Sequence, residues 1–352
     1  MAVRQLCAPG DLDLRRPLPG RPAAAQRVTA VAATAGLSRI AVATAAPWFP
    51  GLAELLLCRA GEVGPPRRVP LARRPQGAVV RDLLFSSGEA ALTVSLGGTE
   101  EQQIGQIAHF ALEPEISERW RRSLSRPVYG GFGESDALRL AVSQDGRTVA
   151  GCDQSSRSVL AWSAVDGGRL VDGAAEPPRV GGSEAIAVDA DGSRLAFRLC
   201  RPYERAPDGG IAVLTPASGE LAVVPTGLDW CAGLAFAPDG GTLVVLGVVA
   251  GAAEAVFVAV DGTVDGTGVG ARRRLGPLPG EASQQTLRPV WGPDGPRAAV
   301  RAGRTVTVWQ LDTGEPLCSV SDLGRSTAWS LTPDGRALVV ATPAEVRGHD
   351  LG

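Results

Sequence analysis

One stretch shows most clearly the structural unit from which this chain is built: Gly233-Leu234-Ala235-Phe236-Ala237-Pro238-Asp239-Gly240-Gly241-Thr242-Leu243-Val244-Val245-Leu246. In it, an apolar strand-like segment runs into a Pro-Asp-Gly turn, and a second segment rich in β-branched residues follows at once. Two apolar segments joined by so short a turn predict a tight β-hairpin. The rest of the chain repeats this unit.

The repeat is visible as a series of turn motifs. The clear copies are Gln144-Asp145-Gly146, Ala190-Asp191-Gly192, Pro238-Asp239-Gly240, Pro293-Asp294-Gly295 and Pro333-Asp334-Gly335. Their aspartates recur at intervals of about 40 to 55 residues, close to the ~40–50 residues of a four-stranded propeller blade. Two weaker copies, at Ala35-Gly36-Leu37-Ser38 and Ser86-Ser87-Gly88-Glu89, extend the series to seven.

The segment from 288 to 320 shows the order of strands within one unit. Pro289-Val290-Trp291 leads into the turn, 297 to 301 forms a second strand, and 304 to 311 forms a third. The turn Asp312-Thr313-Gly314-Glu315 then leads into a fourth strand from 316 to 320. Four strands per unit, repeated radially, predict an all-β propeller.

The predicted protein is therefore a single β-propeller domain over 1–352, with seven four-stranded antiparallel blades; six or eight blades are the alternatives, because the two N-terminal copies of the turn match weakly. The blades are placed at about 27–77, 78–135, 136–182, 183–228, 229–285, 286–325, and 326–352 plus 1–10. The last unit supplies three strands of its own, and the alternating segment Val3-Arg4-Gln5-Leu6-Cys7 is expected to supply the fourth, which removes an open sheet edge. The alternative is a frayed N-terminus.

One blade carries a family resemblance. The segment Val308-Trp309-Gln310-Leu311-Asp312-Thr313-Gly314, set after a Pro-Asp-Gly hairpin, resembles a blade of the bacterial WD-repeat and WD-like β-propellers. Gln310 stands where that family usually has aspartate, and Gly348-His349 lies outside the usual context of the family's Gly-His dipeptide. The resemblance implies a propeller fold and a role in protein–protein interaction.

Bulk composition excludes some function classes. The formal net charge is −2, and all 35 basic residues are arginine, a composition typical of high-GC bacterial coding. This charge gives no general footprint for nucleic acid or membrane, and the first residues lack the apolar core of a signal peptide. A cytoplasmic monomer without cofactor is expected.

Two further patterns have structural interpretations. The apolar stretch from Thr242 to Val260 has nearly the length of a membrane span, but Gly247, Gly251 and Glu254 divide it at hairpin spacing, which favours two buried strands. The cysteines, none of them in a C-x-x-C pair, are interpreted as free buried thiols in a reducing compartment. They are Cys7, Cys58, Cys152, Cys200, Cys231 and Cys318.

The predicted binding surface is the face of the propeller that carries long connections. The short Asp-Gly turns after first strands, with the turns after third strands, open on one face, here called the Asp-Gly face. The opposite, long-loop face is expected to hold the insertions 45–54, 67–77, 97–105, 119–136, 201–210 and 271–285, which are rich in arginine and aromatic residues. That composition is typical of interface hot spots.

The predicted partner-binding residues are Trp48, Trp120, Tyr129, Arg201 and Tyr203. Capping of the core is the alternative for Trp48, Trp120 and Trp230, and solvated loop charge is the alternative for the arginines.

An enzymatic alternative rests on acidic residues before first strands. Glu134, Asp136, Glu184, Asp229 and Glu281 are placed where carboxylates could converge on a central channel and bind a divalent metal, as in propeller lactonases or hydrolases. The only histidines, His109 and His349, lie in strand-like segments without a nucleophile signature. A non-enzymatic scaffold is therefore the main hypothesis, with the metal-dependent hydrolase as the alternative.

Overall fold

The computed structural model describes residues 3–7, 27–46, 49–60, 66–69, 71, 79–86, 88–97, 106–123, 139–153, 158–171, 185–198, 210–260, 269–277, 287–324 and 327–352. The protein is all-β, with seven antiparallel sheets that are the blades of a seven-bladed β-propeller. Six sheets have four strands and the third blade has three among the described residues. The chain divides into two compact units, Met1–Leu138 with Leu323–Gly352, and Arg139–Asp322.

The first unit contains blades 1, 2 and 7. Blade 1 consists of β2 (Arg27–Ala33), β3 (Arg39–Ala46), β4 (Phe49–Arg59) and β5 (Arg67–Arg68), and blade 2 of β6 (Val79–Phe85), β7 (Ala91–Gly97), β8 (Gln106–Ala111) and β9 (Ser117–Ser123). Blade 7 consists of β25 (Ala328–Leu331), β26 (Ala337–Ala341) and β27 (Val346–Asp350), and β1 (Val3–Cys7) pairs with β27. The predicted closure of the last blade by the N-terminal strand is confirmed.

The second unit contains blades 3 to 6. Their strands are β10 (Leu140–Val142), β11 (Thr148–Asp153) and β12 (Ser158–Ser163); β13 (Ile186–Val188), β14 (Leu195–Arg198), β15 (Ile211–Thr215) and β16 (Glu220–Val224); β17 (Trp230–Phe236), β18 (Thr242–Val249), β19 (Ala252–Ala259) and β20 (Val269–Pro277); and β21 (Leu287–Gly292), β22 (Gly295–Ala302), β23 (Thr305–Gln310) and β24 (Glu315–Val320). The apolar stretch that imitates a membrane span forms β18 and β19, two buried neighbouring strands. Among the described residues, no helix is both long and apolar enough to cross a membrane.

Apolar side chains fill the space between neighbouring blades within each unit. In the first unit, Leu55 of blade 1 and Phe110 of blade 2 share one cluster, while Val42 and Val339 share another between blades 1 and 7. The second unit has equivalent clusters between each pair of successive blades. First strands of neighbouring blades lie side by side, in the order β25, β2, β6 in the first unit and β10, β13, β17, β21 in the second. Both faces of a blade are buried, so its central strands are almost continuously apolar.

A capping residue precedes the Asp-Gly turn in most blades. The side-chain oxygen of Ser143 accepts a hydrogen bond from the backbone N–H of Thr148, five residues later, at 2.9 Å. The same bond is made by the residues equivalent to Ser143 in blades 1, 2, 4 and 7, which are Thr34, Ser86, Asp189 and Thr332. Blade 6 differs, because Gly292 pairs directly with Gly295 in a tighter hairpin. The turns are therefore less uniform than the sequence indicates.

The register also shows which positions match the tryptophan of the WD-like segment. Trp309 pairs with Ala298, the sixth residue after the capping position, and the same pairing holds in all seven blades. The equivalent residues are Cys58, Phe110, Trp162, Leu214, Val258 and His349. Next to Trp309, Gln310 accepts from Arg297 Nε at 3.1 Å and donates to Asp294 O at 3.0 Å. Gln310 thus binds the turn of its own blade at the place where the family usually has aspartate.

Candidate functional site on the long-loop face

Four of the five predicted partner-binding residues, Trp48, Tyr129, Arg201 and Tyr203, lie outside the described residues and stay predictions. The fifth, Trp120, lies on β9, the outermost strand of blade 2, and its side chain is buried. Its ring stacks on His109 with a centroid distance of 5.2 Å and an interplanar angle of 11°. Arg122 lies over the Trp120 ring at 5.9 Å.

His109 completes this stack on the face of blade 2 that is turned away from blade 1. Its Nδ1 is 2.9 Å from Thr93 Oγ1. Burial, and to a smaller extent the charge of Arg119, lowers the pKa of His109 to about 4. At neutral pH the imidazole is therefore uncharged, and the stack holds β9 on β8. His349, the other histidine, is buried in β27, and burial lowers its pKa as well.

Several arginines that the sequence assigns to long insertions lie on outermost strands instead. Arg67 and Arg68 form β5, while Arg119, Arg121 and Arg122 belong to β9 and Arg272, Arg273 and Arg274 to β20. An outermost strand is exposed along one edge, so it lacks the apolar pattern of a central strand and reads as a loop. Arginine on such a strand also discourages pairing with other chains. The insertion boundaries at 67, 119 and 271 are thus wrong.

Some of these rim arginines bind the neighbouring blades. Arg272 on β20 donates to Thr226 O and lies 3.5 Å from Glu254 Oε2. Arg273 Nε donates to Asp312 O, in the turn that joins β23 to β24, at 3.1 Å. Arg121 on β9 pairs with Glu118 at 2.6 Å within its own strand. Arg272 and Arg273 therefore help to hold blade 5 to its neighbours.

The Asp-Gly face is linked from blade to blade. In the first unit, Arg39 and Arg59 of blade 1 both reach Glu113 Oε1 of blade 2 at 2.6 Å, and these bonds, that of Arg39 first, lower the pKa of Glu113. In the second unit, Asp145 N donates to Ala190 O at 2.9 Å and Arg194 Nη2 donates to Gly240 O at 2.8 Å. The turns on this face therefore bind neighbouring blades to each other, and this agrees with the structural role predicted for them from the sequence.

The long-loop end of the second unit presents an arginine–tryptophan pair. Arg198 is the last residue of β14 in blade 4, and Trp230 is the first residue of β17 in blade 5. The Arg198 guanidinium carbon lies 5.7 Å from the centroid of the Trp230 ring. Such a cation–π contact contributes about 0.5–1 kcal/mol at exposed sites and more where it is desolvated. Trp230 is half-buried, and it also packs against the cluster between blades 5 and 6.

The backbone around Trp230 fixes the position of this ring. An ideal Cβ at Gly247 would lie 2.2 Å from Trp230 O, so only glycine lets β17 and β18 approach there. Asp229 accepts a bond from Ala250 N at 2.7 Å and anchors the start of β17. Next to the ring, burial raises the pKa of Cys231 to about 12, so the thiol is protonated and inert. The pair is therefore held by strands on both sides.

Sequence reasoning missed the Arg198–Trp230 pair because its members belong to different blades. Arg198 stands at the end of an apolar strand, just before the predicted insertion that carries Arg201 and Tyr203. Trp230 follows the acidic residue Asp229 at the start of the next repeat. A signal was available, because second strands end and first strands begin at the long-loop end of a blade. Among the described residues of the second unit, Arg198 and Trp230 therefore lie where strands end and begin at the long-loop face.

The acidic residues considered for a metal site are only partly described. Asp229 binds the backbone of Ala250, while Glu134, Asp136, Glu184 and Glu281 lie outside the described residues. Within the ranges that the structure describes, no group of three or more His, Cys, Asp or Glu side chains is arranged to hold a metal ion. Cys231 and Cys318 are free and buried, and Cys58 is buried as well.

No protein family profile matches the chain, and no curated protein matches it either.

Proposed function

We propose that this protein is a non-enzymatic, WD-like interaction module that binds a partner protein through its long-loop face. The observation that carries the proposal is the Arg198–Trp230 pair at the long-loop end of blades 4 and 5. Tryptophan and arginine are the residues most enriched at interface hot spots. Arg198 lies directly before the segment in which Arg201 and Tyr203 are predicted to bind.

The proposed mechanism is presentation of a preorganised surface. Strand pairing and the close approach at Gly247 hold Trp230, and its ring in turn orients Arg198. A partner that binds side chains already fixed in place loses less conformational entropy in ordering them, which favours affinity. The positive charge of Arg198 beside the Trp230 ring combines a cationic and an apolar surface, and this suits a protein surface with carboxylates next to apolar side chains. The expected setting is a cytoplasmic monomer without nucleic acid, membrane or cofactor.

Alanine variants test the proposal by quantitative affinity capture from the native host. Arg198→Ala, Arg201→Ala and Tyr203→Ala are each expected to reduce the captured partner at least tenfold, the loss of about 1.4 kcal/mol of binding free energy or more. The matched control is Arg147→Ala in the same unit, because the Arg147 side chain is 82% exposed on the Asp-Gly face. Full capture by all three long-loop variants, with folding checked by circular dichroism, would contradict the proposed site.

A further inference from the structure

The strand that completes blade 7 comes from the other end of the chain. β1 pairs with β27 only, with Val3 opposite His349, Arg4 opposite Gly348 and Gln5 opposite Arg347. The register then shifts at Leu6, so that Cys7 lies opposite Val346. Everything that β1 contributes to its sheet therefore depends on one edge of β27.

Few side chains hold β1 in place. Val3 is 52% exposed, and Arg4 and Gln5 are exposed as well. Leu6 is the apolar anchor, since it packs against the cluster between blades 1 and 7. An ideal Cβ at Gly348 would lie 3.0 Å from Leu6 Cδ1, so the missing side chain provides the space for this leucine. An exposed ion pair, Arg4 with Asp350 at 3.8 Å, adds little because water screens it.

The connection between β1 and β2 is long and proline-rich. It runs from 8 to 26, outside the described residues, and its sequence contains Pro9, Pro17, Pro19 and Pro22. The connection has 19 residues, and an extended chain spans at most about 3.3–3.6 Å per residue. Its length therefore allows β1 to leave its own β27 and to reach the same strand edge in a second molecule.

From these observations we infer that β1 is an exchangeable strand and that the edge of β27 accepts β1 from a second copy of this chain. The exchanged strand makes the same backbone ladder, places the same leucine over Gly348 and brings the same arginine to Asp350. A second copy is the matching occupant because every copy carries this leucine and this arginine in the required register. The inference does not depend on the proposed partner-binding function.

Concentration decides between the closed monomer and the exchanged dimer. A strand tethered to its own binding edge has an effective concentration there of about millimolar. Exchange between copies competes only when the protein approaches that concentration. In dilute solution the monomer is therefore the main form, and the dimer forms as the protein is concentrated.

Two single cysteine variants test the exchange directly. Gln5 and Arg347 are exposed and paired across the two strands, and paired residues in antiparallel strands have Cα atoms about 4.5–5.5 Å apart, within disulfide range. Purified Gln5→Cys and Arg347→Cys proteins are mixed, taken through partial unfolding, refolded and oxidised. Mass spectrometry then searches for the peptide that links positions 5 and 347. Collision between exposed thiols is reported by an out-of-register mixture of Val3→Cys and Arg347→Cys proteins, because Val3 lies opposite His349 and not Arg347. A 5–347 link in clear excess of that mixture shows that β1 of one molecule occupies β27 of the other.

The expected result is a linked peptide at about 1 mM protein that is at least tenfold less abundant at about 10 µM, below the effective concentration of the tether. The double variant Gln5→Cys/Arg347→Cys is the control and is expected to link within one chain at both concentrations. Each single variant oxidised alone reports any link through native cysteines. If the double variant links but the mixture never does, the exchange is refuted. Failure of the double variant to link refutes it too, because β1 would then not lie on β27.

Discussion

Gly192 is the residue with the tightest steric requirement among the Asp-Gly turns. Its φ is +79°, and an ideal Cβ there would lie 2.2 Å from Thr148 Oγ1 of the preceding blade. Gly219 has a similar φ of +72° in the turn after β15, but nothing lies within 4 Å of its ideal Cβ. Comparing substitutions at the two glycines therefore distinguishes the cost of a left-handed backbone, present at both, from the cost of crowding between blades, present only at Gly192.

Gly192→Ala is expected to lower the free energy of unfolding by about 3 kcal/mol, because left-handed strain and overpacking combine. Gly219→Ala is the matched control and is expected to cost about 1 kcal/mol from backbone strain alone. Urea unfolding of both variants measures the difference. Equal losses would mean that the contact with Thr148 is not a close one.

His109 gives the protein a defined pH dependence. Its pKa is about 4 in the folded protein and 6.5 in its ordinary state. Between these values the unfolded chain binds a proton that the folded protein does not, so stability falls as the pH is lowered from about 6.5 to 4. The loss from this group is at most about 3 kcal/mol. Above pH 7 the contribution is constant.

His109→Phe keeps a ring against Trp120 and removes the titration. Urea unfolding at several pH values between 7.5 and 4.5 is expected to show a smaller loss of stability in this variant than in the unaltered protein. Carboxylates such as Glu113 titrate in both proteins, so the difference between the two curves isolates His109. Parallel curves would show that His109 has an ordinary pKa.

At the scale of elements, the capping residue of the Asp-Gly turn is the repeated device. Ser143→Ala removes the acceptor of the Thr148 N–H and is expected to cost about 1–2 kcal/mol. Blade 5 has Ala237 at this position, and Ala237→Ser offers the missing acceptor to Thr242. A gain of up to about 1 kcal/mol is expected there. Thermal and urea unfolding check both changes. An unchanged free energy of unfolding in both variants would show that the capping hydrogen bond does not stabilise the blade.

How much of each element can be predicted depends on where its strand lies in the blade. The hairpins of first and second strands are evident from sequence because apolar segments flank a turn with special residues, as at Asp239-Gly240. Fourth strands are less evident. The strand predicted at 316–320 is present as β24, but β9 reads Ser-Glu-Arg-Trp-Arg-Arg-Ser and has only Trp120 buried. Its place is determined by pairing with β8 and by the stack on His109, contacts that no local pattern records.

At the scale of the whole molecule, the repeat of turns predicts seven blades, and the incomplete last unit predicts the closing strand. The candidate site is harder to predict, because Arg198 and Trp230 come together only through the packing of blade 4 on blade 5. Within a blade, the turns set the sequence distance between neighbouring strands, so the strand order can be predicted from the sequence. Between blades, contacts depend on side-chain packing, and only the folded chain shows them.

The long-loop face is proposed to bind a protein partner, without a metal-dependent reaction. The most direct measurement is crosslinked affinity purification of the tagged protein from its native host, with mass spectrometry and metal analysis of the same sample. We expect a stoichiometric protein partner that Arg198→Ala loses and Arg147→Ala keeps, with no stoichiometric divalent metal. A stoichiometric divalent ion without a partner would contradict the account and favour a hydrolase.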